Sequence, residues 1–403
     1  MSNKKVLIIG AGTVGPLLGV ALKRAGFAPH LFDAAPTFAD IGGGFNLSPN
    51  GLRFVKNLGL LDKVYEAGTP VKTVYIHKLD GRPVGSFSGD IIKEKYGIAN
   101  TGILRSRFNA IAVQAAREES IPISNGKRLT GISQTNDKVT ASFEDGSSET
   151  GDLLIGADGL RSATRQILFG KEDPEYTGMD AIIGVTHVSD LPAGAEYTPQ
   201  FMTAFQGKGT QFGIYGIGHG QLVWFIAARG DGNGKESWAT DVTGSRQLIL
   251  ERLQSLGAAP ISRQVVEHSS RVLRFAICDR KPLATWSQGR CVLIGDAAHP
   301  MSPHLGQGAN TALEDGGLLS ELLKANSDDH KFVFSAFEKA RLARTTTIVK
   351  SARGMAASIE LVNPFLCDLR DKFLALMFAV MKGPPVDGMY RYDYVEVSKK
   401  LMK

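Results

Sequence analysis

The sequence predicts an α/β protein in which a mainly antiparallel sheet interrupts a framework of parallel strands and helices, with further helices near the end of the chain. A strand, a helix and a second strand follow one another within residues 5–33, which is the spacing of a βαβ unit. Residues 181–228 contain four strand-like segments separated by glycine-rich turns. From residue 310 onward, long stretches carry apolar residues at helical spacing.

The first βαβ unit is defined by apolar runs and glycines. Lys5–Ile9 is a short apolar run ended by glycine, which is typical of a buried parallel strand. Residues 13–25 carry apolar side chains at helical spacing and are followed by Gly26, a common helix stop. A second strand at residues 29–32 ends at Asp33.

The remaining elements are predicted by the same criteria. Residues 41–49 are rich in glycine and asparagine, which predicts a loop, and Ser106 is predicted to cap a helix. Asp145 and Gly146 indicate a hairpin turn. The apolar segment 373–381 is too short to span a bilayer, so we expect a buried or interface helix there. We predict strands at residues 131–134, 139–143, 152–155, 181–188, 199–205, 210–217, 221–228 and 290–294, and helices at residues 51–60, 310–324, 331–350 and 363–381.

Composition and charge exclude several classes of protein. The 403 residues suffice for two domains, and 46 basic against 40 acidic side chains give a formal net charge of +6. The basic residues form no run interleaved with aromatic residues, so we expect no nucleic-acid partner. No stretch reaches the ~20 apolar residues of a membrane span, so we expect no stable membrane insertion. Three cysteines without metal-ligand spacing, and no signal peptide, favour a cytoplasmic protein without a metal site.

The first motif with a chemical meaning is Gly10-Ala11-Gly12-Thr13-Val14-Gly15. It follows a strand and opens a helix, so its glycines permit a tight turn, the approach of a pyrophosphate and close helix–strand packing. Free N–H groups at the helix N-terminus favour phosphates. Asp33, about twenty residues on, is placed to accept hydrogen bonds from a ribose. This motif predicts a bound dinucleotide but does not distinguish FAD from NAD.

The second motif indicates a flavin. It reads CVLIGDAAHP over residues 291–300 and continues as PHLGQGAN over residues 303–310. Asp296 follows a buried strand, at the sheet edge where α/β proteins bind ligands, and a carboxylate there can bind the ribityl hydroxyls of FAD. The loop at residues 306–308 opens the next helix, whose N-terminus favours the negative charge of a reduced flavin.

A third motif, at residues 155–162, places Asp158 and Gly159 between a strand and a helix, and by itself it indicates only turn chemistry. Together and in this order, the three motifs resemble the class A flavoprotein monooxygenases, the family of para-hydroxybenzoate hydroxylase and the tetracycline-inactivating monooxygenases. The resemblance covers residues 4–325. It implies an α/β, Rossmann-like FAD-binding fold of the glutathione-reductase type, with an interleaved, mainly antiparallel β-sheet substrate domain and C-terminal helices.

The resemblance also implies how the domains alternate along the chain. The FAD-binding domain would comprise residues 1–72, 101–176 and 276–350, the substrate domain residues 73–100 and 177–275, and a C-terminal helical segment residues 351–403. The sequence contains one full G-x-G-x-x-G. This fits a family in which the pyridine nucleotide binds without a domain of its own.

By the same resemblance, Asp33 would hold the adenosine ribose and Asp296 the ribityl and pyrophosphate part of FAD. Arg105 would contact the cofactor, although an arginine beside a helix start is also commonly an exposed surface residue. Asp158 would contribute to handling both FAD and the pyridine nucleotide. The full set predicted to bind the cofactor is Gly10, Gly12, Thr13, Val14, Gly15, Asp33, Gly43, Gly44, Arg105, Asp158, Asp296, Pro303, Gly306, Gln307, Gly308, Ala309 and Asn310.

The activity that the resemblance implies is that of an NAD(P)H-dependent monooxygenase. NADPH or NADH would bind transiently and reduce FAD, and molecular oxygen would then be activated as a flavin C4a-hydroperoxide. One oxygen atom would be inserted, by hydroxylation, into a small aromatic or polycyclic molecule such as a secondary metabolite or an antibiotic. No acid or base is assigned, and His299 is as readily a structural histidine as a proton donor. Candidate substrate contacts are Gln211, Tyr215, Phe225 and His304, although aromatic residues on such strands are more often core.

Three other functions share some of these motifs. A flavin oxidase or dehydrogenase would return electrons to oxygen without inserting an atom. A non-catalytic flavin- or ligand-binding protein would bind FAD without consuming NAD(P)H. A dehydrogenase that uses NAD alone would leave Asp296 and the loop behind it unexplained. The oligomeric state is left open.

Overall fold

The computed structural model of the protein describes residues 3–38, 42–229, 244–381 and 386–403. The strands are β1 (Lys5–Ile9), β2 (Ala28–Phe32), β3 (Gly44–Leu47), β4 (Thr69–Pro70), β5 (Thr73–Lys78), β6 (Pro83–Ser88), β7 (Thr101–Leu104), β8 (Ile123–Ser124), β9 (Leu129–Gln134), β10 (Val139–Phe143), β11 (Ser148–Gly151), β12 (Leu153–Gly156), β13 (Glu175–His187), β14 (Phe201–Gln206), β15 (Thr210–Gly216), β16 (Gln221–Arg229), β17 (Arg271–Asp279), β18 (Ser287–Gln288) and β19 (Cys291–Leu293). The helices are α1 (Gly15–Arg24), α2 (Pro49–Asn57), α3 (Leu61–Ala67), α4 (Gly89–Tyr96), α5 (Arg105–Glu118), α6 (Ala163–Phe169), α7 (Gly244–Ser255), α8 (Pro260–Glu267), α9 (Gly308–Ala325), α10 (His330–Ile359), α11 (Pro364–Met381), α12 (Asp387–Tyr390) and α13 (Tyr394–Leu401).

A six-stranded sheet in the order β18-β19-β12-β1-β2-β8 forms the framework. β1 pairs in parallel with both β2 and β12, and β12 pairs in parallel with β19. Val6 and Ile8 pack against α1, α5 and α9 on one face, while Leu7 and Ile9 pack against β9 and β10 on the other. Burial on both faces explains why β1 is apolar throughout, and the arrangement confirms the predicted fold class.

A seven-stranded sheet in the order β17-β13-β16-β15-β14-β5-β6 forms the second layer. Its pairs are antiparallel except for β14 with β5, which are parallel. Alternation along the strands separates two faces. Phe212 and Trp224 face the core that α7 and α8 cover, whereas Tyr215 and Val223 lie in the cluster that meets β7.

The structure corrects two predictions near the framework. Residues 44–47 form strand β3, not part of a loop, because β7 offers an unpaired edge and the two pair antiparallel. Ser106 does not cap α5, because β7 runs directly into a helix that begins at Arg105 with Leu104 at its N-cap. The helix predicted at residues 51–60 is α2, which begins at Pro49 and ends at Asn57.

The apolar segment 373–381 was predicted to be a buried or interface helix, and the structure excludes burial within the chain. This segment lies in α11, and the side chains of Phe373, Leu376 and Val380 are exposed. None of the described helices is both long and apolar enough to cross a membrane. Strands β5, β6 and β17 were not predicted, since their sequences alternate weakly between polar and apolar residues.

Candidate cofactor and substrate site

The loop between β1 and α1 has the shape that phosphate binding requires. Gly10 has φ +106°, and a Cβ atom there would lie 2.4 Å from the carbonyl oxygen of Ala157. No protein atom lies within 4 Å of the position that a Cβ of Gly12 would take, so the backbone is open to a ligand. Gly12 lies two residues before Val14, the N-cap of α1. The open space at Gly12 therefore adjoins the N-terminus of α1, as an anion site needs.

A cavity of about 290 Å³ adjoins this loop. Its lining includes Gly12, Thr13, Asp33 and Arg105. The Asp33 carboxylate accepts hydrogen bonds from the backbone N–H of Ala11 and of Ala35, each at 2.8 Å, so it is held at the end of β2 beside the loop. These residues fit the adenosine and pyrophosphate part of a dinucleotide.

Asn109 is a residue of this site that the sequence did not single out. Its side-chain amide donates to the carbonyl oxygens of Ala11, at 2.7 Å, and of Gly12, at 2.9 Å. It therefore fixes the orientation of the peptide groups in the glycine loop. Asn109 follows Arg105 by one helical turn on α5, and this spacing was the only available signal.

Asp296 lies in the turn that follows β19. Asp296 is accessible to a molecule of the size of water, although many protein atoms surround it. These surroundings raise the pKa of its carboxyl, and the charges of His299 and Arg105 oppose the rise. A carboxylate that faces an internal space in this way fits a ligand rich in hydroxyl groups. This is the donor set that the ribityl chain of FAD presents.

The loop before α9 is held by amide side chains. Gln307 donates to the Ser48 hydroxyl at 3.1 Å, and Asn310 accepts from the backbone N–H of Ser48 at 2.8 Å. Asn310 also donates to the carbonyl oxygens of Asn46, at 3.1 Å, and of Gly306, at 2.8 Å. The side chains of Gln307 and Asn310 therefore fasten the loop to the segment around β3. The N-terminus of α9, at Gly308, remains the group available to a flavin ring.

A buried ionic network lies behind this loop. Asp315 accepts from the backbone N–H of Gly295 at 2.8 Å and contacts His299 Nε2 at 2.6 Å, and Arg341 donates to it at 2.6 Å. Arg341 also pairs with Glu314 at 2.5 Å. Burial alone would raise the pKa of Asp315, but His299 and Arg341 hold it below its usual value. The contact with Asp315 supports the interpretation of His299 as a structural histidine.

Asp158 forms its hydrogen bonds within its own turn. Its carboxylate accepts from the Ser162 hydroxyl at 2.5 Å and from the backbone N–H and the hydroxyl of Thr164, both at 2.9 Å, at the start of α6. The buried Arg165 then donates to the carbonyl oxygens of Ala297 and Ala298, each at 3.3 Å. The third motif thus supports the segment that carries Asp296.

The Gly43–Gly44 pair brings the framework against the seven-stranded sheet. A Cβ on Gly43 would lie 2.5 Å from Ile183 Cγ2, and one on Gly44 would lie 2.5 Å from Ile217 Cγ2. The backbone N–H of Arg105 donates to the Gly43 carbonyl oxygen at 3.1 Å. Glycine is needed here because the two layers touch through backbone.

Three of the four predicted substrate contacts lie on the sheet face that meets this glycine pair. Tyr215 and Phe225 belong to the same apolar cluster, and Gln211 shares the face of Tyr215 by alternation along β15. His304 lies instead in the loop before Gly306, with Nδ1 3.1 Å from the Ser302 hydroxyl. Burial lowers the pKa of His304, although Glu360 opposes this.

Two buried polar atoms in the loop before α9 and in β3 have no hydrogen-bond partner among the residues that the structure describes. They are His304 Nε2 and Asn46 Oδ1. The Asn46 amide nitrogen lies 3.5 Å from Met202 Sδ on β14. Asn310 donates to the carbonyl oxygens of Asn46 and of Gly306, so the segment that carries Asn46 lies next to the loop that carries His304.

Comparisons with known proteins agree with this geometry. Residues 3–351 match the family model described as FAD binding domain. The chain is 32% identical to an aurachin C monooxygenase/isomerase of Stigmatella aurantiaca, over 92% of this chain and 94% of that protein. It is 28% identical to a 6-hydroxynicotinate 3-monooxygenase of Pseudomonas fluorescens, over 86% of this chain and 89% of that protein. Klebsiella pneumoniae HpxO complexed with FAD and uric acid has a similar fold, with a TM-score of 0.83 at 24% identity, over 98% of this chain and 97% of that one. The family model over residues 3–351 and the 32% identity over 92% of the chain show that the protein belongs to the family of FAD-dependent monooxygenases.

Proposed function

We propose that this FAD-dependent monooxygenase hydroxylates a small aromatic or polycyclic molecule that carries a hydrogen-bond donor on its ring. The proposal is carried by two buried polar atoms, Asn46 Oδ1 and His304 Nε2, that have no hydrogen-bond partner among the described residues. They lie on two segments that Asn310 joins, and Asn46 lies beside Met202 of the apolar sheet face. An unpaired buried polar atom is costly, so such atoms favour a ligand that pairs them. Relatives named for hydroxynicotinate and hydroxybenzoate substrates support an aromatic substrate with a ring hydroxyl. Secondary metabolites and antibiotics with such a ring are included in this proposal.

The cofactor contacts are part of the proposal. Asp33 holds the adenosine ribose, Asp296 the ribityl chain, and the N-termini of α1 and α9 the pyrophosphate and the flavin ring. Arg105 contributes positive charge between them. Bound FAD supplies the redox chemistry, accepting a hydride from NADPH or NADH and activating molecular oxygen. The chain itself binds and orients the cofactor and the substrate, and it keeps water away from them.

The substrate side of the mechanism follows from the same residues. Tyr215 and Phe225 present an apolar wall that keeps water away from the reacting centre. Burial lowers the pKa of His304, which favours the neutral imidazole. In the tautomer that carries the proton on Nδ1, beside the Ser302 hydroxyl, Nε2 accepts a hydrogen bond from a ring hydroxyl. That interaction orients the ring and makes it more electron-rich, which favours attack on an electrophilic oxygen.

The division of the chain into domains remains a proposal with the boundaries given above, as does the cytoplasmic location. Strands β5 and β6, within residues 73–100, pair into the seven-stranded sheet through β14, which supports their place in the substrate domain. Strand β19, within residues 276–350, pairs with β12, which supports its place in the FAD-binding domain.

The test compares matched pairs of aromatic compounds that differ only in a ring hydroxyl. We expect NAD(P)H to bleach the visible flavin band of the purified protein under anaerobic conditions, and air to restore it. The hydroxylated member of a pair should stimulate NAD(P)H consumption and gain one oxygen atom by mass. A product that has lost two hydrogens would identify an oxidase or dehydrogenase instead. Equal turnover of both members of each pair would contradict the assignment of Asn46 and His304.

A further inference from the structure

Helix α11 carries an exposed apolar stripe. Leu366, Leu369, Phe373, Leu376 and Val380 follow one another at steps of three and four residues and are between 43% and 72% exposed. Val362 and Phe365 extend the stripe at its N-terminal end, with exposures of 67% and 74%. We call these seven residues the α11 stripe. Alternating steps of three and four are the spacing of a helix that packs along another helix.

The opposite side of α11 is fixed to the protein. Phe378 stacks on Phe87 of β6, with ring centroids 5.8 Å apart. The buried Arg370 donates to Asp371 at 2.8 Å and to the carbonyl oxygen of Gly207 at 3.3 Å. The stripe is therefore a preformed surface on an anchored helix, and covering it costs little ordering of the backbone.

The charges on α11 favour another protein surface over a lipid surface. The segment that carries the stripe has four charged side chains, two acidic and two basic, and among them Lys372 pairs with Asp368 at 2.9 Å. Helices that lie on membranes are rich in lysine and arginine on the polar face. On α11 the polar face carries Asp368, Arg370 and Asp371, which bond within the chain.

We propose that the α11 stripe is the interface between two copies of this chain. At the observed exposures the seven side chains present roughly 700 Å² of apolar surface, above the largest patch of a typical monomer. Covering two such stripes removes roughly 1,400 Å² from water, within the range of stable interfaces. Because the stripe is apolar along its whole length, a twofold axis through its middle sets apolar side chains against apolar side chains.

The same interface would support the substrate side of the enzyme. Phe87, against which α11 packs, lies in one cross-strand row with Val74, Met202 and Tyr215. Helix α11 therefore lies on the sheet face that carries the proposed substrate contacts, and a second copy would hold it there.

The test is the mass in solution of the FAD-loaded protein, measured by analytical ultracentrifugation at micromolar concentration. We expect the wild type to have the mass of two chains, and Leu369→Glu with Phe373→Glu to have the mass of one while keeping its flavin spectrum. The milder pair Leu369→Ala with Phe373→Ala should raise the dissociation constant at least tenfold, and it serves if the charged variant does not fold. Leu248→Glu and Phe332→Glu, at exposed apolar positions of α7 and α10, are matched controls that should stay dimeric.

Two results would overturn the proposal. A wild type with the mass of one chain would do so, and so would a dimer that persists in both stripe variants. A wild type that is monomeric and sediments with phosphatidylcholine–phosphatidylserine vesicles would assign the stripe to a lipid surface instead.

Discussion

Asp296 has surroundings that a bound cofactor explains better than folding does. Its carboxyl lies deep in the molecule, where burial raises its pKa, yet the side chain faces open space. Buried carboxylates that serve stability are normally paired, as Asp315 is with Arg341 and His299. Asp33 differs from both Asp296 and Asp315, because each of its two carboxylate oxygens accepts a hydrogen bond from a backbone N–H group.

At this scale we predict that Asp296→Ala loses most of its FAD. Losing hydrogen bonds to a charged group costs about 1.5–3 kcal/mol, or roughly a 10- to 100-fold weaker affinity. Fluorescence titration of the deflavinated protein measures it, and Asp137→Ala, at an exposed turn, is the control. Full retention of flavin in Asp296→Ala would contradict the proposal that this carboxylate binds the ribityl chain.

At the scale of elements, β3 decides how the two layers meet. It pairs with β7 on one side and presents Gly43 and Gly44 to the seven-stranded sheet, where Ile183 and Ile217 fill the space that side chains would need. The same strand brings Asn46 next to Met202. The contact between framework and substrate sheet is thus made by backbone at one layer and by branched side chains at the other.

We predict that Gly43→Ala destabilises this contact and that Ile183→Ala in the same chain restores part of the loss. A Cβ 2.5 Å from Ile183 Cγ2 overpacks the interface, at a cost of about 1–3 kcal/mol. Thermal unfolding of the three variants measures the coupling. If the effects of the two substitutions simply add, the close approach of Gly43 to Ile183 is not the cause of the loss.

The fold was predictable where local pattern and function coincide. Glycine spacing predicted the turn between β1 and α1, and strand ends predicted where Asp33 and Asp296 lie. The strand β3 was not predictable, because glycine and asparagine favour a loop unless a partner edge is present, and β7 supplies that edge. Asn109 and Arg165 were missed because their partners are carbonyl oxygens distant in sequence.

At the scale of the whole molecule, a buried network joins the turn at Gly295 and helix α9 to the C-terminal helices. Asp315 and Glu314 on α9 connect the backbone at Gly295 to Arg341 on α10, and Arg344 extends the network to carbonyl oxygens of Gly388 and Met389. The helices after residue 325 carry no recognisable motif, yet through these contacts they support the cofactor loop.

We predict that Asp315→Asn lowers the free energy of unfolding by about 3 kcal/mol at pH 7, since it leaves the buried Arg341 guanidinium without one of its two carboxylate partners. The folded pKa of Asp315 lies below its unfolded value, so its contribution is complete above the unfolded pKa and is lost as pH falls through the folded pKa. The temperature of unfolding, measured from about pH 5 down to about pH 2, should therefore fall less steeply for Asp315→Asn than for the wild type. Parallel curves would show that another group sets the acid sensitivity.

The sequence by itself determined the framework, the cofactor class and the places of Asp33 and Asp296 at the ends of their strands, because glycine turns and strand ends are local requirements of dinucleotide binding. Only the tertiary structure decided which side chains face the space open to a ligand and which form hydrogen bonds that fix the surrounding loops. It turned the amides of Gln307 and Asn310 toward β3, closed the Asp158 carboxylate onto its own helix and left α11 with an uncovered apolar face. These outcomes depend on partners far away in the chain, and burial and pairing with such partners cannot be read from neighbouring residues.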